Sequence, residues 1–195
     1  MPPPKPHQTS RARKPSTTPD TGTIYFYMPD AKPYGVFCQW HASIIVVPIT
    51  SLHFLNPSPT ILASHGETIT FTCAEQMFMF SKALFSSDAS SCQKIMATYS
   101  PKEQKRLGRN VTSFNEHAWN TVKSRVARVR NWYKFTHPCN AHMKAILLGT
   151  GRGSWWGRRV GIVCGGLGLV RGGRRSLGGF GGRIWGLLGG GGSGN

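Results

Sequence analysis

From Thr72 to Phe85 the chain reads Thr-Cys-Ala-Glu-Gln-Met-Phe-Met-Phe-Ser-Lys-Ala-Leu-Phe, apolar at almost every helical position. A helix that is hydrophobic all round is a buried one, so this segment predicts the central helix of a core. The β-branched and aromatic residues of 23–27 predict a first strand, and Ile44-Ile45-Val46-Val47 suits a second. Asn56-Pro57-Ser58-Pro59 reads as a turn or loop. Thr68-Ile69-Thr70-Phe71 then leads into the apolar helix.

Helical signals dominate beyond it. Residues 88–97 read as one helix. Ser100-Pro101-x-Glu103 is a helix start, with Ser100 as N-cap and Pro101 in the first helical position. Gly108 suits a left-handed stop for that helix. Over 115–135, Trp119, Val122, Val126, Val129 and Tyr133 recur at the three–four spacing of a buried stripe. Lys123, Arg125 and Arg128 lie on or beside the outer face, as solvated charge does. Residues 137–148 predict a last amphipathic helix, with Thr136 as its cap. Together these predict a single helix-dominated α+β domain over 23–151, with short strands near its start and a long loop at 41–66.

Glu75 and Lys82 interrupt the apolar helix. They are seven residues apart, close to two turns, which places them on one face at roughly 10 Å. Charged side chains are almost never fully buried without partners or a purpose. Two ordinary explanations stand beside a site. Thr72-x-x-Glu75 is also the spacing of a capping box, and Lys82 could snorkel to the surface.

Composition narrows the partners. The 195 residues carry Lys+Arg 24 against Asp+Glu 7, a formal net charge of +17. Much of the excess lies in the flanks. Residues 1–22 hold Lys5, Arg11, Arg13 and Lys14 against Asp20, and 151–195 hold seven Arg and no acidic residue. Such flanks attract nucleic acid or anionic surfaces without specificity, and a basic core suits a phosphorylated ligand. Pro, Ser, Thr and basic residues fill 1–22, a disordered composition. Cys38, Cys73, Cys92, Cys139 and Cys164 are widely spaced, with no CxxC or Cys/His pattern, so neither a metal site nor a cofactor is expected. The odd count and the lack of a secretory signal point to an intracellular protein of the cytoplasm or nucleus, where the Asn110-Val111-Thr112 sequon would be idle. No apolar run is long enough to span a membrane.

An ordered set of motifs then carries a resemblance. It comprises Tyr25-Phe26-Tyr27, Pro33-Tyr34-Gly35-Val36-Phe37, Phe71-Thr72-Cys73-Ala74-Glu75-Gln76, Lys82-Ala83-Leu84-Phe85 and Asp88. It continues through Ser100-Pro101-Lys102-Glu103-Gln104-Lys105-Arg106-Leu107-Gly108-Arg109-Asn110-Val111, Phe114-Asn115-Glu116-His117-Ala118-Trp119 and Tyr133-Lys134-Phe135. In this order the motifs resemble the NADAR superfamily of YbiA-like proteins over residues 24–151. The resemblance implies nucleotide and ADP-ribose chemistry, and specifically N-glycosidases that split a base-like nitrogen from a ribose.

That chemistry develops positive charge on the ribose, which a fixed carboxylate in a dry pocket stabilises. Glu75 is the catalytic candidate. Lys82 and Arg109 are the candidates for phosphate, Arg109 because Gly108 before it would let the backbone approach a ligand. Trp119 is either a stacking platform for a base or a core anchor of its helix. Tyr34 and Gly35 match the opening segment of the family and are candidates to line the same pocket. Gln76 stands where many bacterial members carry His, so no role of that His transfers. The stretch 41–66 is longer than the connection usual in the family, consistent with an inserted loop or a translated intron.

Beyond Gly151 the chain departs from the pattern. The family continues after Leu-Leu-x-Thr-Gly, here Leu147-Leu148-Gly149-Thr150-Gly151, with an acidic stretch and then Asp-x-x-Trp-Gly. Residues 151–195 instead hold 19 of the 24 glycines. Codons can be chosen for Gly161-Ile162-Val163-Cys164-Gly165 that encode Asp-Arg-Val-Trp in a neighbouring frame, so a frame change accounts for the tail. A genuine, disordered Gly/Arg-rich tail over 152–195 is the alternative. Three functions follow: an N-glycosidase acting on a ribose-phosphate or ADP-ribose-like substrate, inactive if the tail is genuine; a noncatalytic ADP-ribose or nucleotide binder; or a nucleic-acid binder led by its tail.

Overall fold

The computed structural model describes residues 23–26, 28–55, 60–150 and 154–157. Its centre is an antiparallel pair, β2 (Ala42–Pro48) and β3 (Thr68–Cys73), in the register Ile45↔Phe71, Val46↔Thr70, Val47↔Ile69. Side chains alternate across a strand, so Ile45, Val47, Ile69, Phe71 and Cys73 are buried on one face while Ile44, Thr68 and Thr70 are exposed on the other. An irregularity between Ala42 and Ile45 shifts the register by the start of β2.

The stretch 41–66 is therefore no single long loop. It holds β2, a 3₁₀ turn (Ile49–Leu52) and the one-turn helix α1 (Thr60–Ala63). Leu52, Leu55 and Leu62 enter the main core beside Ile45 and Val47, and the Ile49 amide donates to the Glu67 carbonyl at 3.0 Å. Removing the segment would take away half of this sheet. The turn expected at 56–59 lies outside the described residues.

Helix α2 (Ala74–Phe85) follows β3 without a loop and buries most of its circumference. It is wrapped by α3 (Ala89–Met96), α4 (Pro101–Arg109) and α5 (Glu116–Thr136), which accounts for its all-round apolar sequence. Asp88 caps α3 by accepting from the Ser91 amide at 2.9 Å, and Ser100 caps α4 with Pro101 in its first turn. The expected stop at Gly108 is corrected. Helix α4 runs on to Arg109, and the C-cap is Asn110 with φ of −97°. Gly108 is there for space, since a Cβ would strike the Met79 side chain on α2.

Asn115 caps α5, whose Trp119, Val122, Val126, Val129 and Tyr133 all face the main core. The Tyr133 hydroxyl meets Ser51 Oγ at 2.8 Å, and Arg125 lies 4.0 Å over the Phe54 ring. The last predicted helix starts later than expected. Thr136 belongs to α5 and bonds back to the Trp132 carbonyl, His137 accepts from the Cys139 amide, and a 3₁₀ turn (Pro138–Asn140) precedes α6 (Ala141–Gly149).

A second cluster joins Phe26, Val36, Phe37, Phe135, Met143 and Leu147. It links the start of the domain to α5 and α6. Strand β1 (Thr23–Phe26) pairs in parallel with β4 (Ser154–Gly157), so these four tail residues form a strand where a disordered tail is expected. Residues 1–22 and 158–195, with the expectations about them, lie outside the described residues.

Candidate functional site

The N-terminus of α2 holds Glu75 at the second helical position, with its side chain completely buried. Neither carboxylate oxygen has a hydrogen-bond partner among the described residues. The capping-box explanation is corrected here. The helix begins one residue later than Thr72-x-x-Glu75 requires, and Cys73 is the N-cap, its Sγ accepting from the Gln76 amide at 3.4 Å. Gln76 reaches back in place of Glu75. Its Oε1 accepts from the Thr72 amide at 2.8 Å and the Thr72 hydroxyl at 3.0 Å. Capping thus leaves the Glu75 carboxylate unexplained.

The two neighbouring amides, by contrast, are bonded at both ends. Gln76 Nε2 donates to the carbonyls of Ile95 (3.1 Å) and Thr98 (3.2 Å). Gln104 Oε1 accepts from Cys73 Sγ at 3.2 Å while its Nε2 donates to the Thr98 carbonyl at 2.7 Å. Gln76 and Gln104 are both buried, where satisfied amides rigidify and unsatisfied ones are costly. This network fastens the start of α2 to α4 and sets the position of α4 against Glu75.

Burial pushes the Glu75 carboxyl up to about 7; the positive charges of Lys105, Arg130 and Arg109 and the Trp40 indole N–H pull the other way. Lys105 and Arg109 are one turn apart on α4, and Arg130 comes from α5. Trp40 Nε1 is near enough to favour the ionised carboxylate, yet it is buried and forms no hydrogen bond of standard geometry among the described residues. A carboxyl poised near neutrality is available both as acid and as base. Basic side chains from two helices around it can accept an anionic group.

The structure divides the residues expected from sequence. Arg109 is exposed and electrostatically coupled to Glu75. Tyr34 and Gly35 lie in a 3₁₀ turn (Tyr34–Phe37) whose continuation reaches the site, because the Gln39 carbonyl accepts from the Glu75 amide at 3.0 Å. Tyr34 stacks on Phe37, with ring centroids 5.9 Å apart. Gly35 has no room for a Cβ, which would run into the Pro29 and Met28 carbonyl oxygens. Lys82 is at the other end of α2, donating to the Gly108 carbonyl at 2.7 Å and lying 3.7 Å from the Phe114 ring centroid. Burial lowers its pKa, opposed by the charge of Glu116. That carbonyl is the part of Gly108 that meets a basic side chain, while its Cα faces Met79. Trp119 is buried against Phe78, Phe85 and Phe114 at 5.4, 5.6 and 6.4 Å, in the core-anchor position of α5.

Sequence reasoning passed over Lys105, Arg130, Trp40 and the buried Lys134. The signal for two of them was present: Ala127, Arg130 and Lys134 continue the three–four spacing beside Val126, so a second buried stripe on α5 carries two charges. Lys134 Nζ donates to the Cys38 carbonyl at 3.1 Å, holding the opening segment to α5. Among the described residues no group of three His, Cys, Asp or Glu side chains could hold a metal ion. Nor is any helix among them long and apolar enough to cross a membrane.

Fold and site together define a helix-dominated α+β domain with a buried carboxyl ringed by basic side chains. The sequence matches the NADAR domain over residues 25–154, two-thirds of the chain, and the protein belongs to that family. Neither a curated protein nor a solved structure gives a significant match.

Proposed function

We propose that this chain is a NADAR-type N-glycosidase, which hydrolyses the bond between a ribose C1 and a base-like nitrogen in a ribose-phosphate or ADP-ribose-like substrate. The observation that carries this is the Glu75 carboxyl, buried, unpartnered and set among Lys105, Arg109 and Arg130. Cleavage breaks the C1–N bond and leaves positive charge on the ribose. Ionised Glu75 stabilises that charge and takes the proton from the water whose oxygen bonds to C1. The leaving nitrogen acquires a proton in exchange. Lys105, Arg109 and Arg130 hold the phosphate, and the segment from Tyr34 and Gly35 to Trp40 forms the adjoining wall. Lys82 and Trp119 serve the same site indirectly, by holding α2 and α5 together around Phe114.

The test is hydrolysis of ADP-ribose N-glycosides, followed chromatographically as release of free ADP-ribose. The wild-type protein should turn over, and Glu75→Gln should lower kcat by about 10²–10⁴-fold, the range typical of acid–base groups, with unchanged circular dichroism. Full activity in Glu75→Gln would sink the carboxylate assignment. Tight ADP-ribose binding by a wild-type protein that releases no product would instead identify a noncatalytic binder.

A further inference from the structure

We propose that Trp40 is a specificity-determining residue, whose indole N–H joins the Glu75 carboxylate in gripping the 2-hydroxyl of the substrate's ribose. The inference rests on the reading of Glu75 as the carboxylate that faces the sugar.

Three buried polar atoms meet beside the start of α2 with no hydrogen bond of standard geometry among the described residues: Glu75 Oε1, Glu75 Oε2 and Trp40 Nε1, whose N–H is near enough to favour the ionised carboxylate. Backbone geometry brings them together. The Glu75 amide is bonded to the Gln39 carbonyl at 3.0 Å, and Trp40 is the next residue. Unpaired buried donors and acceptors are rare in folded proteins and costly. An ionised carboxylate only accepts and an indole N–H only donates. These two side chains still make no standard hydrogen bond to each other. One group satisfies both at once: a hydroxyl, which donates to the carboxylate and accepts from the indole.

The ligand chemistry selects the hydroxyl. A carboxylate that stabilises positive charge at C1 is next to the substituent on the adjoining carbon, and hydrogen bonds to that 2-hydroxyl strengthen as the charge develops. Trp40 is only half-buried and Arg109 is exposed, so the group around Glu75 reaches the protein surface at these two side chains. A deoxy sugar would leave the donor and the acceptor buried and unpaired, the arrangement by which polar sites reject analogues that lack a hydroxyl.

The experiment compares binding of ribose 5-phosphate and 2-deoxyribose 5-phosphate by calorimetry, in the wild-type protein and in Trp40→Phe, which keeps an aromatic ring and removes the N–H. The wild-type protein should prefer the ribose form by about tenfold or more, the value of one hydrogen bond to a charged group. Trp40→Phe should lose most of that preference, chiefly by weaker binding of the ribose form. Thermal melting confirms that the variant is folded, and the wild-type comparison stands without it. If wild type binds both sugars equally, or if folded Trp40→Phe keeps the full preference, the inference is overturned and the site reading survives. If wild type binds neither sugar phosphate, both fall.

Discussion

Glu75→Gln should make the protein more stable, and the gain should depend on pH in a direction that the site dictates. Burial raises the Glu75 carboxyl from 4.5 to about 7 in the folded chain, against the pull of Lys105, Arg130, Trp40 and Arg109. The unfolded chain keeps the ordinary value. Between the two, the folded state binds a proton that the unfolded state does not, so stability falls as pH rises through this window. At 1.36 kcal/mol per pKa unit, the ionised Glu75 costs about 3 kcal/mol above the upper value. Glutamine keeps the shape of the protonated side chain and never ionises. Glu75→Gln and wild type should therefore melt nearly together at about pH 4, below the unfolded value of 4.5. At about pH 8 the variant should gain about 3 kcal/mol, or roughly 5–10 °C in Tm for a domain of this size. Every other titrating group is common to both proteins, so the difference between their pH profiles isolates Glu75. Urea titration at both pH values, with the slope checked for constancy, gives the same quantity as a free energy. A variant less stable than wild type at the higher pH would refute the reasoning. It would mean that the carboxylate is held by a favourable ion pair, and that its burial serves the fold rather than a ligand.

Two further outcomes test the surroundings. Asp88 accepts from the Ser91 amide and hydroxyl and from the Thr112 amide and hydroxyl; burial alone would raise its pKa, but these bonds bring it down from 3.8 to about 2. Asp88→Ala should cost about 1–2 kcal/mol at neutral pH, as loss of a helix cap does. Since the native pKa is depressed, the stability that Asp88 supplies is present above 3.8 and is lost as pH falls toward 2, so chemical denaturation of the variant should converge on wild type in acid. Gly108→Ala should destabilise by about 1–3 kcal/mol through overpacking against Met79, despite alanine's better helix propensity; a raised Tm would show that Met79 simply moves aside.

Much of the architecture was legible because local rules and burial agreed. Ser100 and Pro101 start α4, Asn115 starts α5, and the Trp119-to-Tyr133 stripe faces the core as its spacing requires. The misjudged positions are those where a neighbour in space overrides a local preference. Gly108 looks like a helix stop until Met79 is placed against it. Thr136 looks like a cap until α5 runs through it and His137 takes that role. The 41–66 stretch looks like a long loop until β2 is paired with β3, a contact between residues far apart in the chain.

Sequence alone determined that a helix within 72–85 is buried and that Glu75 is anomalous within it, because a charge amid apolar positions is costly wherever the helix packs. It also determined the family, through the order of motifs. Tertiary structure decided whether capping explains the anomaly. A one-residue shift in where α2 begins takes the capping part from Glu75 and gives it to Gln76, which bonds to Thr72. The identity of its neighbours was also a tertiary matter. Lys105, Arg109 and Arg130 approach Glu75 from two helices and Trp40 from the opening segment, and only packing sets which faces of separate elements meet. Lys82, on the same helix and two turns away, points its ammonium at Gly108 and Phe114 instead. Helical spacing relates side chains within one element; a site is made between elements.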